Sequence, residues 1–196
     1  MDQRRRLVLA STSTYRKALL ERLGLAFECA APGIDESALA EERPADTARR
    51  LARAKAATVA ARFPEALIIG SDQVASLGSL RLEKPGTYDN AVRQLSALSG
   101  QTAQFDTAVC LLDARRGAAS IRLVPCRVTF RRLAARTIET YLKREQPYDC
   151  AGSAKSEGLG IALIERIDTE DPTSLIGLPL IALADLLAEA GQPIIS

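Results

Sequence analysis

Short apolar runs and helical patterns follow one another along the first part of the chain. The apolar residues 7–10 lead into a polar run, and a helical spacing then ends at Gly24. A long helix rich in alanine and arginine is predicted from Pro44 to Arg62, and residues 66–70 form a second short apolar run. Short buried strands that alternate with helices are typical of an α/β protein.

The second part of the chain combines further helices with two long strands. Helical spacing predicts helices over residues 88–99, 134–144 and 180–190, whereas residues 101–113 and 120–130 resemble two long strands of a hairpin. Shorter strands are predicted at residues 27–31 and 161–167. No repeat or linker divides the chain, so we expect a single domain, residues 1–196, with a mixed sheet flanked by helices.

The composition is that of a globular protein with nearly balanced charge. The 196 residues include 26 Lys and Arg against 24 Asp and Glu, a formal net charge of +2 at pH 7. This balance predicts no broad basic surface for nucleic acid or for an anionic membrane. The longest near-apolar run, residues 175–184, is too short to span a bilayer, and four widely spaced cysteines are typical of buried thiols in a reducing compartment. We therefore expect a cytoplasmic protein.

The chain contains no histidine. Serine or cysteine nucleophiles that depend on histidine, helical histidine zinc motifs and histidine phosphotransfer are thereby excluded. If the protein is an enzyme that moves protons, its general base must be a carboxylate or a lysine.

The junction between the first strand and the first helix holds several hydroxyls and cations. Ser11 and Ser13 precede Tyr15, Arg16 and Lys17. Backbone N–H groups at a helix start, together with these side chains, would suit a phosphate group. A serine N-cap followed by solvated cations explains the same residues, so both interpretations stay open at this point.

Asp72 and Lys55 are charged residues that the patterns place beside buried elements. Asp72 follows the apolar run 66–70, where a carboxylate at the end of a strand can hold Mg²⁺ or polarise water. A turn or N-cap role is the alternative for Asp72. Lys55 lies in helical register with Leu51 and Val59, so it either extends to the helix edge or points into a site.

Further charged groups extend this set of candidates. Asp35 and Glu36 are adjacent carboxylates in a loop, Lys84 precedes a proline, and residues 151–158 form a loop of small residues that includes Glu157. Each is also compatible with a solvated charge or a polar loop. Together, cations for phosphates and carboxylates for metal and water fit metal-assisted hydrolysis of a phosphate compound better than acyl transfer.

Several short motifs occur in a fixed order along nearly the whole chain. They are Leu9-Ala10-Ser11-Thr12-Ser13 with Arg16, Ile34-Asp35-Glu36, Arg50-Leu51-Ala52 with Lys55, Gly70-Ser71-Asp72-Gln73, Lys84-Pro85, Leu98-Ser99-Gly100, Asp149-Cys150-Ala151-Gly152 and Gly177-Leu178-Pro179-Leu180. Each motif alone is weak, whereas the ordered set is specific. In this set the chain resembles the Maf family of nucleoside triphosphate pyrophosphatases.

Two positions resemble one branch of that family. Gln73 after the aspartate, and Glu157 in Lys155-Ser156-Glu157-Gly158, match the branch that acts on 7-methyl-GTP rather than the dTTP/UTP branch. The resemblance implies an elongated α/β fold of the Maf and inosine triphosphatase type, with two lobes and a cleft. It also implies cleavage between the α- and β-phosphates with a divalent cation, Mg²⁺ or Mn²⁺, and a homodimer, because related proteins are often dimers.

The resemblance further implies roles for single residues. Asp72 matches the general base, and the carboxylates expected to bind the metal are Asp35, Glu36 and Asp72. The residues expected to bind the nucleoside triphosphate are Ser11, Ser13, Tyr15, Arg16, Lys55, Gln73, Lys84, Lys155 and Glu157. Because methylation at N7 gives guanine a positive charge, Glu157 is expected to select the methylated base and Tyr15 to stack on it.

Two other functions use the same residues. The first is a broad pyrophosphatase for dTTP, UTP or damaged nucleotides. The second is a nucleotide-binding regulator of septum formation that binds without turnover. The joint presence of Asp72, Lys55 and Lys84 favours an enzyme, because a protein that only binds has no need of a general base.

Overall fold

The computed structural model describes residues 5–195. Their helices are α1 (Thr14–Glu21), α2 (Pro44–Ala60), α3 (Tyr88–Leu98), α4 (Ala135–Glu145) and α5 (Leu180–Glu189). Their strands are β1 (Leu7–Leu9), β2 (Glu28–Cys29), β3 (Leu67–Leu77), β4 (Leu80–Leu82), β5 (Thr102–Asp113), β6 (Ala118–Phe130) and β7 (Ile164–Thr169). None of the helices formed by residues 5–195 combines the length and the apolar character needed to cross a membrane.

The described strands form one mixed sheet in the order β2-β1-β3-β5-β6-β7, with β4 paired to β3 outside this path. β1 runs parallel to both β2 and β3, so Leu9 lies opposite Cys29 and Ile69. β4 is antiparallel to β3, and β7 is antiparallel to β6. The predicted α/β class, with a mixed sheet flanked by helices, is confirmed.

The chain divides into two compact units. The first unit contains the chain up to Gln73, the segment Thr107–Val124 and the chain from Asp171 onward. The second unit contains Val74–Asp106 and Pro125–Glu170. Each unit is therefore assembled from segments that are distant in sequence, and a single family domain over the whole chain stays a prediction.

The core of the first unit is built from the apolar runs that the sequence shows. Residues of β1, α1, β3, β5 and α5, and of the turn before α5, form one buried cluster: Leu7, Leu9, Leu19, Leu20, Leu67, Ile69, Val109, Leu111, Leu178, Leu180, Leu183, Leu186 and Leu187. Residues 7–9 of β1 and 67–69 of β3 are all buried, so both faces of these paired segments are covered and their residues are continuously apolar rather than alternating.

A glycine brings α2 directly onto β3. A Cβ atom at Gly70 would lie 2.1 Å from the carbonyl oxygen of Ala52 and 2.9 Å from the amide nitrogen of Ala56. Only a residue without a side chain permits this approach. The close contact places Lys55 of α2 near Asp72, which lies two residues after Gly70 on β3.

Three strands, β3, β4 and β7, differ from the sequence prediction. β3 continues to Leu77, well past the predicted run 66–70, and then turns into β4, which the apolar pattern does not predict. The connection is a two-residue turn that begins at Gly78 with φ +59°, a conformation that favours glycine. β7 begins at Ile164 instead of residue 161, because Leu159–Leu163 form a turn of 3₁₀ helix.

Candidate active site

A buried ion pair joins α2 to β3. The Lys55 ammonium donates hydrogen bonds to Asp72 Oδ1 and to Glu36 Oε2, each at 2.7 Å. The side chains of Lys55 and Asp72 are only 4% and 7% exposed, whereas Glu36 is 54% exposed. Lys55 therefore points inward, and its nitrogen brings together the predicted general base and one of the predicted metal-binding carboxylates.

Burial and charge act in opposite directions on Asp72. Burial raises the pKa of the Asp72 carboxyl group above its ordinary value, while Lys55 and Arg16 oppose that rise. Burial also lowers the pKa of the Arg16 guanidinium, which Asp72 and Glu36 oppose, and the guanidinium stays charged. A carboxylate with raised proton affinity, held by a cation, is suited to accept a proton from water.

Asp72 lies inside β3 rather than at the end of that strand. The prediction of a strand end is wrong because β3 continues as a hairpin into β4. The parallel neighbour β1 ends at Leu9, opposite Ile69, so Asp72 lies beyond the carboxyl end of β1. Ligands of α/β proteins bind at such carboxyl ends.

Arg16 is oriented by the turn that precedes α5. Its Nε donates a hydrogen bond to the carbonyl oxygen of Gly177 at 2.8 Å. The Ser71 hydroxyl lies 2.9 Å from the same oxygen and 2.9 Å from the carbonyl oxygen of Ala108. Gly177 has φ +117°, which favours glycine. The sequence motifs include Ser71 and Gly177, but their shared contact depends on the fold.

Ser13 caps α1, and Ser11 supports this cap. The Ser13 hydroxyl accepts a hydrogen bond from the Arg16 amide at 3.3 Å, and the Ser11 hydroxyl accepts one from the Ser13 amide at 3.1 Å. Ser11 is buried, and Tyr15 is half-buried. The N-cap interpretation is confirmed for Ser13. Contacts of Ser11, Ser13 and Tyr15 with a nucleotide stay predictions.

The side chain of Gln73 is tied into the first unit. Its amide nitrogen lies within 3.0 Å of the Thr107 hydroxyl and of the carbonyl oxygens of Ser174 and Leu175. The Thr107 hydroxyl itself donates to Ser174 at 2.9 Å. Gln73 therefore links β3 to β5 and to the turn before α5. A nucleotide contact of Gln73 stays a prediction.

The loop that carries Glu36 is held by α2. Arg50 donates two hydrogen bonds of 2.7 Å to the Glu42 carboxylate and one of 3.0 Å to the Ser37 carbonyl oxygen. Thr47 donates to Glu42 at 2.8 Å. The hydrogen bond from Arg50 is the main cause that lowers the pKa of Glu42 to about 2. Sequence reasoning missed Glu42, since its partners are defined only by the loop conformation.

The carboxylates predicted to bind a metal do not form a ready-made set of three. Asp35 accepts a hydrogen bond from the Ser37 amide at 2.9 Å, within its own loop. Across residues 5–195, no three His, Cys, Asp or Glu side chains are arranged to hold a metal ion. Mg²⁺ commonly takes one or two carboxylates and completes its shell with phosphate oxygens and water. Glu36 and Asp72, which share the Lys55 ammonium, fit such a site.

Lys84 lies in the second unit, in a loop after β4. Its side chain is exposed. Hydrogen bonds to the loop run from the Gly86 amide to the Tyr148 carbonyl oxygen at 3.0 Å, from the Asn90 side chain to the Pro85 carbonyl oxygen at 2.8 Å and from the Gln94 side chain to the Glu83 carbonyl oxygen at 2.8 Å. The loop that carries Lys84 is therefore held in place, while the Lys84 side chain is exposed. A contact of Lys84 with phosphate stays a prediction.

Lys155 and Glu157 lie together in another loop of the second unit. The Lys155 ammonium is 3.3 Å from Glu145 Oε1, and Glu157 is exposed. Glu145 ends α4, and the sequence does not distinguish it, because a glutamate at the end of a helix is usually solvated. The structure thus identifies Glu145 as the partner of a predicted nucleotide-binding residue.

The cysteines divide by exposure. Cys110 and Cys126 are buried, and burial raises the pKa of each thiol to about 11. Cys29 is exposed and Cys150 is partly exposed, so the expectation that all four are buried is wrong for these two. Cys29 belongs to a two-residue strand beside β1, where both of its residues face outward.

The mixed sheet and its flanking helices define an α/β protein, in which Asp72 of β3 and Lys55 of α2 form a buried ion pair beyond the end of the parallel strand β1. The family model for Maf-like proteins matches residues 6–190. The chain belongs to this family, which confirms the resemblance found in its motifs.

Similar proteins are named 7-methyl-GTP pyrophosphatase. The one from Cupriavidus metallidurans is 53% identical over 192 residues, which cover 98% of this chain and 96% of that protein. The one from Nitrosococcus oceani is 53% identical over 189 residues, 96% of this chain and 95% of that protein. The one from a Polaromonas species is 56% identical over 187 residues, 95% of this chain and 85% of that protein.

Proposed function

We propose that the protein hydrolyses 7-methyl-GTP to the nucleoside monophosphate and pyrophosphate. The observation that carries the proposal is the buried Asp72–Lys55 pair, in a chain 53% and 56% identical to proteins named for this activity. A buried carboxylate bonded to a lysine provides a general base beside positive charge, which phosphoanhydride hydrolysis requires.

Asp72 is assigned to the attacking water. Lys55 donates to Asp72 Oδ1 at 2.7 Å, so we assign Oδ2 as the oxygen that accepts the water's proton. The water oxygen adds to the α-phosphorus. The anhydride bond between the α- and β-phosphates then breaks, and pyrophosphate leaves with the bonding electrons. The raised pKa of Asp72 strengthens it as a base for this step.

Cations and metal have separate tasks in this proposal. Arg16, Lys55 and Lys84 would neutralise the charge that develops on pyrophosphate. Glu36 and Asp72 would hold a divalent cation, Mg²⁺ or Mn²⁺, which when bound supplies positive charge to the phosphate oxygens. Asp35 lies outside this pair, because its carboxylate serves its own loop.

We assign the selectivity for 7-methyl-GTP to recognition of the guanine base. The exposed Glu157 carboxylate would recognise the positive charge that N7-methylation gives to guanine, and ordinary GTP lacks that charge. Glu157→Gln should therefore reduce the preference for 7-methyl-GTP over GTP. An unchanged preference would refute charge recognition by Glu157.

The decisive experiment measures pyrophosphate release with Mg²⁺ or Mn²⁺ from 7-methyl-GTP, GTP, dTTP, UTP, CTP and ATP. Asp72→Asn should lower kcat by about 10²- to 10⁴-fold while nucleotide binding remains, because the amide cannot accept the proton. The matched control is Asp185→Asn, an exposed aspartate of α5 that should retain full turnover.

Each result has a defined meaning. A strong preference for 7-methyl-GTP supports the proposal, whereas preferred release from dTTP or UTP overturns the substrate and leaves a broader pyrophosphatase. Nucleotide binding without pyrophosphate release overturns the enzyme and favours the regulator. Turnover by Asp72→Asn near that of the unmodified protein removes Asp72 from the mechanism.

A further inference from the structure

The segment from Lys155 to Gly160 is anchored at two points by the end of α4. Tyr141 and Glu145 lie four residues apart on one face of that helix. The Tyr141 hydroxyl accepts a hydrogen bond from the Lys155 amide at 3.0 Å, and Glu145 Oε2 accepts one from the Leu159 amide at 2.7 Å. Neighbouring helix side chains thus hold both ends of the segment.

Glu145 also holds the side chain of Lys155. Its Oε1 is 3.3 Å from the Lys155 ammonium, and the two side chains are 12% and 29% exposed. Burial acts to lower the pKa of Lys155, but the hydrogen bond and the charge of Glu145 outweigh burial and raise it. One carboxylate therefore fixes a backbone amide and a charged side chain of the same loop.

The glycines of this segment let the carboxylate lie against the backbone. A Cβ atom at Gly158 would lie 2.7 Å from Glu145 Oε1 and 2.8 Å from Oε2. Any side chain at position 158 would displace the Glu145 carboxylate, so the glycine permits this contact. A Cβ atom at Gly160 would lie 2.5 Å from the Lys155 carbonyl oxygen, which keeps the turn tight.

We infer that Glu145 and Tyr141 are positioning residues for nucleotide recognition, which they serve by holding the segment that carries Lys155 and Glu157. The inference rests on the proposed function, which assigns those two residues to the nucleotide. A segment that is held before binding loses less conformational entropy on binding than a free loop does. Glu145 and Tyr141 act through Lys155 and Glu157 without touching the substrate themselves.

The kinetic test compares Glu145→Ala, Glu145→Gln and the matched control Glu139→Gln. Glu145→Ala should raise KM for 7-methyl-GTP by about 10- to 100-fold and narrow the preference over GTP, while kcat changes little. Glu145→Gln keeps an acceptor for Leu159 and loses the charge opposite Lys155, so its rise in KM should be smaller. Glu139 is an exposed residue of α4 paired with Lys143, and its variant should match the unmodified protein.

A structural readout separates positioning from loss of fold. Hydrogen exchange followed by NMR should show faster exchange of the Leu159 amide in Glu145→Ala and of the Lys155 amide in Tyr141→Phe. The exchange rates of the amides in α4 should stay unchanged in both variants. Gly158→Ala keeps Glu145 but pushes its carboxylate away, so it should reproduce the Glu145→Ala changes. This variant provides the test if Glu145→Ala does not fold.

Unchanged KM together with unchanged Leu159 exchange would overturn the inference, as would faster exchange with an unchanged KM. If the unmodified protein does not hydrolyse 7-methyl-GTP, the proposed function fails instead. Calorimetric binding of 7-methyl-GTP then decides the inference. Weaker binding by Glu145→Ala than by Glu139→Gln supports the positioning role, and equal binding overturns it.

Discussion

At the scale of single residues, the chemistry of the candidate site depends on a balance of charge around Asp72. Asp72 and Glu36 supply two carboxylates, Lys55 bonds to both, and Arg16 acts electrostatically on both. Burial favours the protonated form of Asp72, and the cations favour the charged form. The protonation of the general base is therefore adjustable by changing one neighbouring cation.

This balance predicts a pH dependence. Activity requires deprotonated Asp72, so the rate should fall as the pH falls through a pKa that lies above the ordinary aspartate value. Lys55→Met removes a group that lowers this pKa, so the acidic limb of log(kcat/KM) should move to higher pH. A series of steady-state rates across pH measures the limb.

The control for that experiment is Lys17→Met, which removes an exposed lysine of α1 that pairs only loosely with Glu21 at 3.7 Å. Its acidic limb should coincide with that of the unmodified protein. A limb that stays in place in Lys55→Met would contradict the electrostatic coupling of Lys55 to the general base, whatever the loss of overall rate.

The sequence predicts the charged residues of this site better than it predicts the hydrogen bonds that orient the site residues. Asp72 and Lys55 are identifiable because charged residues are uncommon among buried apolar positions, whereas Glu36 is identifiable only through the motif Ile34-Asp35-Glu36 of the family resemblance. Gln73 is different, since its partners Thr107 and Leu175 are 34 and 102 positions away. No local pattern reveals such contacts, because they depend on how distant segments pack.

At the scale of elements, the contact of α2 with β3 positions the site. Gly70→Ala should destabilise the protein by at least about 3 kcal/mol, because the new methyl group meets the backbone of α2 rather than a movable side chain. Urea denaturation followed by circular dichroism measures the change.

Gly24→Ala is the comparison for that substitution. Gly24 has φ +64°, and apart from its two chain neighbours no atom of the described residues lies within 4 Å of the position that a Cβ would occupy. Gly24→Ala therefore adds backbone strain alone and should lower the free energy of unfolding by about 1 kcal/mol. Equal losses at Gly70 and Gly24 would show that the approach of α2 to β3 is looser than the distances indicate.

A second element depends on a residue outside it. α5 begins after Pro179, which has no side-chain cap, and the buried Asp171 accepts hydrogen bonds from the amides of Ile181 at 2.7 Å and Thr173 at 3.0 Å. Asp171→Ala leaves these donors without their acceptor and should cost about 3 kcal/mol in chemical denaturation. Asp185→Asn, on the exposed side of α5, should change stability by less than about 0.5 kcal/mol.

The stability of Asp171→Asn provides a further test of this prediction. The amide retains one acceptor oxygen, so its loss of stability should fall between those of Asp171→Ala and Asp185→Asn. A variant Asp171→Ala as stable as the unmodified protein would mean that water replaces the carboxylate at the start of α5.

The elements themselves are largely predictable. Helices α2, α3 and α5 begin within two residues of their predicted starts, because proline, aspartate and apolar spacing mark them locally. The sequence does not predict β4, since a strand of three residues has too few positions to show an apolar pattern. It also does not predict the start of β7, because Glu145 holds Leu159 in a turn just before that strand. Tertiary contacts decide such short elements.

At the scale of the whole molecule, each compact unit draws on distant parts of the chain. The cluster of the first unit takes five leucines from the chain after Asp171: Leu178, Leu180, Leu183, Leu186 and Leu187. Burial of each contributes about 1.5–3 kcal/mol, so together they are comparable with the roughly 5–15 kcal/mol of net stability typical of a domain.

A chain that ends at Glu170 should therefore lose the native fold of the first unit. Its thermal transition should broaden or disappear in calorimetry, and nucleotide binding should be lost. A chain that ends at Gln192 keeps α5 and should retain a sharp transition. A sharp, native-like transition in the shorter chain would show that the first unit does not need α5. The homodimer stays a prediction of the family resemblance.

The contact between Arg16 and Gly177 spans 161 positions. During synthesis, Arg16 is made 161 residues before Gly177, whose carbonyl group orients it. The same is true of Gln73, whose partners include Ser174 and Leu175. A nascent chain consequently exposes these charged and polar residues long before they can be oriented, and the site becomes competent only after the segment that contains Ser174, Leu175 and Gly177 has been made.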